Sequence, residues 1–422
     1  MTIRSTKGDA RCEIVKAMQS AKRMGNDLCL MCKSSRLLCG RSSCPLLDRV
    51  RVKQPIEKKL SKDMFGPSPT SIFVGHRGYP HVFIGPMASL EPEKAALMDD
   101  PTKWYGRDFN EIIGMRSSLV RSKRVQDIKS RSKVVLDTQE LAMASRPADV
   151  EVNFIKRPTY NLSFSVVSQP MGPTGQLDKF KITENTKIPR KTDSLANDEV
   201  LASDASFELF NSGFDVYYLT KVLSSGVLGM DENKKLVPTR WSITAVDDTI
   251  SKKLLESIRE YPSVNEFRVY SNTYLDNHFE ILVMPGSWEF EQFEAWAPET
   301  LWTLNRQKPV IQVESEHYKG RSDYAMKEGG GYYAARLAVT EFLERIRRQA
   351  RVVVFREIYE GYVMPVGVWE VRENVRHALM NKPRIFDTKK DALGHISKKL
   401  LIPMSEYMPK SEILMQQRLV DW

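Results

Sequence analysis

Four of the five cysteines fall within sixteen residues, at Cys29, Cys32, Cys39 and Cys44, in the order Cys-x2-Cys-x6-Cys-x4-Cys. Four thiolates are the donor set of a closed tetrahedral zinc site, and Gly40 supplies a residue that tolerates positive φ where a second chelating turn would close. Such a site has no open coordination position, so its expected role is folding or contact with a partner. An iron–sulfur cluster is the sharper alternative because Cys44 precedes Pro45, although the other spacings depart from ferredoxin-like runs. Unliganded thiols are the plain alternative, disfavoured by the oxidation risk of four crowded sulfurs. Lys33, Arg36 and Arg41 lie between the ligands, where phosphate contact is open to them.

The other end carries a second pattern, Gln416-Gln417-Arg418-Leu419-Val420-Asp421-Trp422. In one tight helical turn residues three apart eclipse, so Leu419 and Trp422 form a two-pronged apolar plug with Gln416 hydrogen-bonding beside it. Burying both side chains gains roughly 3 to 6 kcal/mol before ordering costs, which suits a transient tether. This is the pattern by which peptides dock on the replication sliding clamp. Such motifs usually carry two adjacent aromatics, and the single Trp422 lowers the expected affinity. A chance match is the competing reading of so short a pattern.

Further groupings could carry chemistry. His76 and Arg77 sit in a glycine turn and are either reactive or ordinary turn residues. Asp276, His278 and Glu280 alternate, so on a strand they share one face and could present metal ligands or a general base. The plainer reading is the polar edge of a strand whose other face carries Phe279 and Ile281. Glu314, Glu316 and His317 are similarly ambiguous. Gly329-Gly330-Gly331 precedes a helical pattern and could cradle phosphate, with Arg336 as its charge partner. No strand-Gly-x4-Gly-Lys-Ser/Thr-helix arrangement occurs, which argues against a P-loop NTPase. Arg116, Arg121, Lys123, Arg124, Lys129 and Arg131 form a dense basic stretch, suited to phosphate contact or equally to a solvated helix face.

These residues need a scaffold, and the composition supplies one. The 422 residues are 41% hydrophobic and 27% charged, the balance of a folded chain with two or three domains. A formal charge of +10 favours polyanionic partners, weakly by itself. No run approaches the roughly 18 apolar residues of a membrane span and no signal peptide is seen, so no membrane partner and a cytoplasmic location are expected. The expected fold is α+β, a mixed α/β body. Residues 1–62 read as a helix plus four-cysteine zinc module, 63–245 and 246–402 as two α/β domains, and 403–422 as a flexible tether. Ile72–Val74 and His81–Ile84 read as a hairpin. Strands are expected over Leu162–Val167, Phe214–Leu219, Phe267–Tyr270, Phe279–Val283, Val310–Val313 and Val352–Phe355. Helices are expected over Thr249–Tyr261, capped by Asp247 or Asp248, and over Tyr332–Arg351 and Asp387–Leu400.

Nearly the whole chain resembles the archaeal Nre family of DNA-repair proteins. The resemblance is carried by the cysteine cluster, by Val74-Gly75-His76-Arg77-Gly78-Tyr79-Pro80 running into Ile84-Gly85-Pro86-Met87, and by Asp276-Asn277-His278-Phe279-Glu280. Glu328-Gly329-Gly330-Gly331-Tyr332-Tyr333-Ala334-Ala335-Arg336, Phe355-Arg356-Glu357-Ile358 and the terminal motif complete it. It implies a DNA-repair role together with the clamp, with DNA and other repair proteins as partners. The competing class is a nuclease-like enzyme whose site would gather His76, Arg77, Asp276, His278 and Glu280 in one pocket.

Overall fold

The computed structural model describes residues 32, 37, 44, 55–98, 100–160, 171–303 and 306–416. Cys29, Cys39, the helix expected before them, the strand expected at 162–167, and Leu419 and Trp422 lie outside the described residues. The body is a mixture of helices and strands, as the sequence predicts, built on two mixed six-stranded sheets.

The first sheet comprises β1 (Asp63–Ser68), β2 (Ile72–Val74), β3 (His81–Ser89), β4 (Leu119–Asp127), β5 (Ala148–Phe154) and β6 (Thr174–Ile182). Their order is β1-β5-β6-β4-β3-β2, antiparallel except between β4 and β6. The period of two is plain in β5, where Ala148, Val150, Val152 and Phe154 are all buried. The expected hairpin forms, with Ile72 opposite Pro86 and the Gly75 amide donating to the Phe83 carbonyl at 2.7 Å. The longer helices of this region are α1 (Phe109–Ser117) and α2 (Lys133–Met143).

Four helices lead to the second sheet: α3 (Arg190–Asn197), α4 (Ala202–Asn211), α5 (Val216–Ser225) and α6 (Thr239–Ile258). Here two expectations are corrected. The strand expected at Phe214–Leu219 is the start of α5, capped by Asp215, which accepts from the Tyr218 amide at 2.8 Å. A short apolar run cannot be told from a buried helical turn by periodicity, and Val216, Leu219 and Val222 are buried at helical spacing. Nor does Asp247 or Asp248 cap a helix. α6 begins ten residues before Thr249, so the boundary expected at 245/246 falls inside it.

The second sheet contains β7 (Phe267–Tyr274), β8 (Asn277–Met284), β9 (Glu289–Trp296), β10 (Val310–Glu316), β11 (Arg351–Ile358) and β12 (Arg384–Phe386). The order is β10-β9-β11-β8-β7-β12, with β9 and β11 parallel and the rest antiparallel. One face packs on α5, α6, α7 (Gly330–Ile346) and α8 (Trp369–Met380), the other on α9 (Lys389–Ser397) and the C-terminal segment. Burial on both faces explains why β8 and β11 are buried along their whole length. α7 stops short of the expected Arg351 because Arg347 turns left-handed at φ 50°. The two sheets share apolar surface: Trp104, Ile112, Met115 and Leu119 pack with Ile358, Tyr362, Val366 and Trp369. Among the described residues no helix is long and apolar enough to cross a membrane.

The tether expected at 403–422 is docked as far as Leu414. Tyr407, Ile413 and Leu414 are buried against Phe293 and Phe355. Glu357 accepts from the Leu401 amide at 2.7 Å, the Ile402 amide at 2.9 Å and the Tyr407 hydroxyl at 2.8 Å. Glu291 accepts from the Glu412 amide at 2.7 Å and from the Ser411 hydroxyl, while Arg351 donates to the Ile413 carbonyl at 2.7 Å. Pro403 and Pro409 signal a break in regular structure, and nothing local shows that two buried carboxylates wait for the amides around them. Glu357→Ala removes the acceptor of the Leu401 and Ile402 amides and of the Tyr407 and Tyr359 hydroxyls, and should lower unfolding free energy by about 3 to 5 kcal/mol. Denaturant unfolding, with protease sensitivity after Lys399, measures this; unchanged stability would show that Glu357 does not hold the segment.

Candidate functional site

The basic stretch does not form one surface. Arg116 closes α1, half-buried, with its guanidinium 5.9 Å from the Trp104 ring, and burial pulls its pKa down to about 10. From Leu119 the chain is strand, which replaces the expected helix face with two sheet faces. Arg121 and Lys123 lie on one, alternating with buried Val120 and Ser122. Arg124 alternates to the other and donates to the Asp178 carbonyl at 3.0 Å. Lys129 and Arg131 belong to the following turn, where Lys129 reaches the Glu232 carbonyl at 3.4 Å.

Aromatic rings share the face with Arg121 and Lys123. The Arg121 guanidinium lies 5.5 Å from the Phe73 ring, and Lys123 Nζ lies 5.8 Å from Phe73 and 5.9 Å from Phe83. Phe83 is 40% exposed. Gly85 lets the strands close here, since a Cβ would meet the Ser122 carbonyl oxygen at 2.6 Å. Burial lowers the Lys123 pKa, and the charges of Arg121 and Arg77 lower it further, so Arg77 of the β2–β3 turn joins this group. His76 is exposed beside it.

Asp276, His278 and Glu280 have other tasks. Asp276 occupies the β7–β8 turn at φ 55° and accepts from the Gly361 amide at 2.5 Å. His278 Nδ1 lies 2.7 Å from the Thr273 hydroxyl and Nε2 lies 3.0 Å from Glu280, which accepts from the Ser271 hydroxyl at 2.6 Å. β8 is an inner strand, so the polar-edge reading is corrected; Phe279 and Ile281 do fill its other face. Met87 of β3 and Leu275 of the β7–β8 turn pack against the same apolar cluster, whereas His76 and Arg77 lie beyond His81, at the other end of β3. Among the described residues no hydrogen bond or ion pair joins His76 or Arg77 to Asp276, His278 or Glu280.

The residues that do converge surround Arg356. Its guanidinium donates to Glu294 at 2.5 Å, to Glu370 at 3.1 Å and to Asn277 at 2.7 and 3.0 Å. Above it begins α7, after Gly329 at φ 59°. A Cβ on Gly331 would lie 3.3 Å from Glu294 Oε2, 3.8 Å from Gln292 Nε2 and 3.9 Å from Arg356 Nη1. Among the described residues, both side-chain polar atoms of Gln292 and both carboxyl oxygens of Glu328 lack a hydrogen-bond partner. Burial pushes the Glu294 and Glu370 carboxyls up against the opposing pull of Arg356. Glu328 is pushed well above the usual carboxylate range, first by burial and then by Glu294 and Glu314.

The phosphate cradle expected at Gly329–Gly331 is corrected by this geometry. Arg336 is fully buried and committed to Glu316 at 2.9 Å and Asp248 at 2.7 Å, and the helix start faces carboxylates. Single residue types gave no sign of this centre, because polar residues within strands read as exposed positions. The family-like blocks did contain Asn277, Glu328, Gly331 and Arg356. Of the cysteine tetrad only Cys32, buried, and Cys44, half-buried, are described, and no group of three or more metal-ligating side chains occurs among the described residues.

A basic, aromatic sheet face joined through a common core to a doubly covered sheet with a buried polar centre defines a two-sheet α+β class of protein. Sequence comparison places it further: the N-terminal region of archaeal Nre matches residues 38–303 and the C-terminal region matches residues 316–421, and the chain belongs to the archaeal Nre family. It is 39% identical over 375 residues to the DNA repair protein NreA of Archaeoglobus fulgidus, covering 88% of this chain and 93% of that one. To the DNA repair protein NreB of the same organism it is 37% identical over 391 residues, covering 92% and 97%. The DNA repair protein NreA of Haloferax volcanii is 34% identical over 389 residues, covering 89% and 93%. No solved structure matches the chain. The stretch between the two matched regions, residues 304–315, contains most of β10, so both regions contribute strands to the second sheet.

A carboxyl whose pKa rises on folding keeps its proton in the native state after the unfolded chain has lost it. Between those two values the native state therefore loses stability as pH rises. Glu328→Gln removes that loss, so the variant should gain on the wild type from pH 5 to pH 9 in denaturant unfolding. A difference independent of pH would show that Glu328 ionises normally.

Proposed function

We propose that the chain is a DNA-repair factor that contacts DNA through the sheet face of Arg121, Lys123, Phe73 and Phe83 and docks on the sliding clamp through Gln416, Leu419 and Trp422. The repair role is supported by likeness along nearly the whole chain to proteins named for DNA repair. The DNA-contacting surface rests on one observation, the two cations lying within 6 Å of half-exposed aromatic rings. Rings offer stacking faces to bases and cations neutralise the backbone, a combination suited to single strands and splayed bases more than to a closed duplex. The clamp contact is supported by the eclipsed Leu-x2-Trp plug, and zinc on Cys29, Cys32, Cys39 and Cys44 serves as the structural metal of the N-terminal module.

Two measurements test this. The double variant Arg121→Ala, Lys123→Ala should weaken binding of a short single-stranded oligonucleotide and reduce the slope of log affinity against log salt by about 1.4, at roughly 0.7 per lost phosphate contact. Phe83→Ala should weaken it at any salt, and affinity unchanged in both variants would remove this face from the proposal. Calorimetry with the sliding clamp should give saturable binding that Leu419→Ala or Trp422→Ala weakens by about tenfold or more, the consequence of emptying one apolar prong. Equal binding by wild type and variants, or none by any, would make the terminal pattern a coincidence.

A further inference from the structure

The turn at residues 75–80 joins β2 to β3 beside the basic sheet face, and α6 begins next to it. β2 is an edge strand, and its Val74 amide donates to the Thr239 hydroxyl at 3.0 Å, which fixes the first turn of α6 along that edge. At this junction the Tyr79 and Trp241 rings lie 5.3 Å apart, tilted by 50°, although they come from distant parts of the chain. Gly78 holds the turn at φ 84°, where a Cβ would meet the His81 carbonyl oxygen at 2.8 Å.

Scattered apolar side chains are ordinary on a protein surface. These two are not scattered. Tyr79 is 42% exposed and Trp241 46% even after packing on each other, and Phe83, also half-exposed, follows four residues along β3. Rings held in this way are rigid apolar plates that lose little conformational freedom when something lies on them.

The charges around them are positive. Arg77 lies in the same turn as Tyr79 and Arg240 precedes Trp241; both are exposed, and neither has an ion-pair partner among the described residues. The Arg77 charge acts on Lys123, so the pair continues the surface of Arg121 and Lys123. The Asp127 carboxylate beside the turn is engaged by His81 at 3.9 Å and by the Lys129 amide at 2.8 Å. An apolar protein segment would cover the rings and leave both guanidinium groups without a counter-charge. A polyanion with exposed planar rings satisfies the two together.

We propose that Tyr79 and Trp241 are a stacking platform for an unpaired base of single-stranded DNA, with Arg77 and Arg240 on the flanking phosphates. The strand then runs off the sheet face and across its edge onto α6. The choice of DNA rests on the nucleic-acid reading above, while the platform residues are separate from Arg121, Lys123, Phe73 and Phe83. Every base has a face to stack, so the platform holds the strand without reading its sequence.

The test titrates the full chain with a short oligothymidylate by fluorescence anisotropy, beside a duplex and an oligouridylate of the same length. Tyr79→Ala and Trp241→Ala should each weaken binding by about fivefold or more, the loss of one stacked base. Arg77→Ala with Arg240→Ala should reduce the slope of log affinity against log salt by about 1.4. Trp241→Phe keeps a ring and should bind within about threefold of wild type. Trp241 is the one exposed tryptophan among the described residues, so the strand should quench the emission of the wild type and quench that of Trp241→Phe much less. Affinity unchanged in both alanine variants would give the rings to an apolar protein partner and overturn the proposal. Equal quenching of Trp241→Phe, equal affinity for the duplex, or tighter binding of the oligouridylate would overturn it too. Arg121→Ala with Lys123→Ala separates the two surfaces: weakening confined to that variant sinks the platform alone, and weakening confined to the platform variants sinks the sheet face alone. No binding by the wild type sinks both.

Discussion

Arg356 enters β11 in the middle of a sheet buried on both faces, and much of the second half of the molecule is arranged to keep its charge there. A lone guanidinium in such a place is untenable, so β8 supplies Asn277, β9 supplies Glu294 and α8 supplies Glu370. The next residue, Glu357, points to the opposite face and imposes the same demand with reversed sign. Its donors come from the backbone after Lys399 and from Tyr407 and Tyr359. Two adjacent residues of one strand thus dictate what covers each side of the sheet.

The same logic recurs among the helices. Arg372 of α8 bonds Asp247 of α6 at 2.7 Å, Arg336 of α7 joins Glu316 and Asp248, and Arg351 bonds Glu289 at 2.6 Å. Desolvation leaves buried ion pairs little net stabilising value, yet deleting one partner strands the other. Their effect is on register: α6, α7, α8 and the sheet fit together in the one alignment that neutralises every pair. The apolar contacts beneath them, such as Leu337 and Val352, are far more tolerant of sliding.

How much of this was legible follows from what each signal depends on. The β-branched and aromatic apolar runs in Phe279–Val283 and Val352–Phe355, and helical spacing in Asp387–Leu400, are local signals, and those elements lie where expected. Phe214–Leu219 failed because a short apolar run fits either state until its cap is seen, and Asp215 supplies the cap. The site was legible as family-like blocks and opaque as chemistry. His76 and Arg77 attracted notice for their residue types, whereas Gln292 and Glu328 take their significance only from the three elements that meet around them. Likewise Phe73 and Phe83 read as strand residues, and only the pairing of β2, β3 and β4 sets them beside Arg121 and Lys123.

The carboxylates of Glu291 and Glu357 hold the chain down as far as Leu414, which changes the character of whatever follows. The seven residues from Gln416 to Trp422 can span no more than roughly 25 Å at full extension. A partner gripping Leu419 and Trp422 would be bracketed close against the second sheet, with little freedom to swing, and not held on a long leash. Capture would therefore dictate orientation as well as proximity: the angle at which the body faces the path of the DNA would be set by the buried anchors, and loosening them would spoil aim before it spoiled attachment.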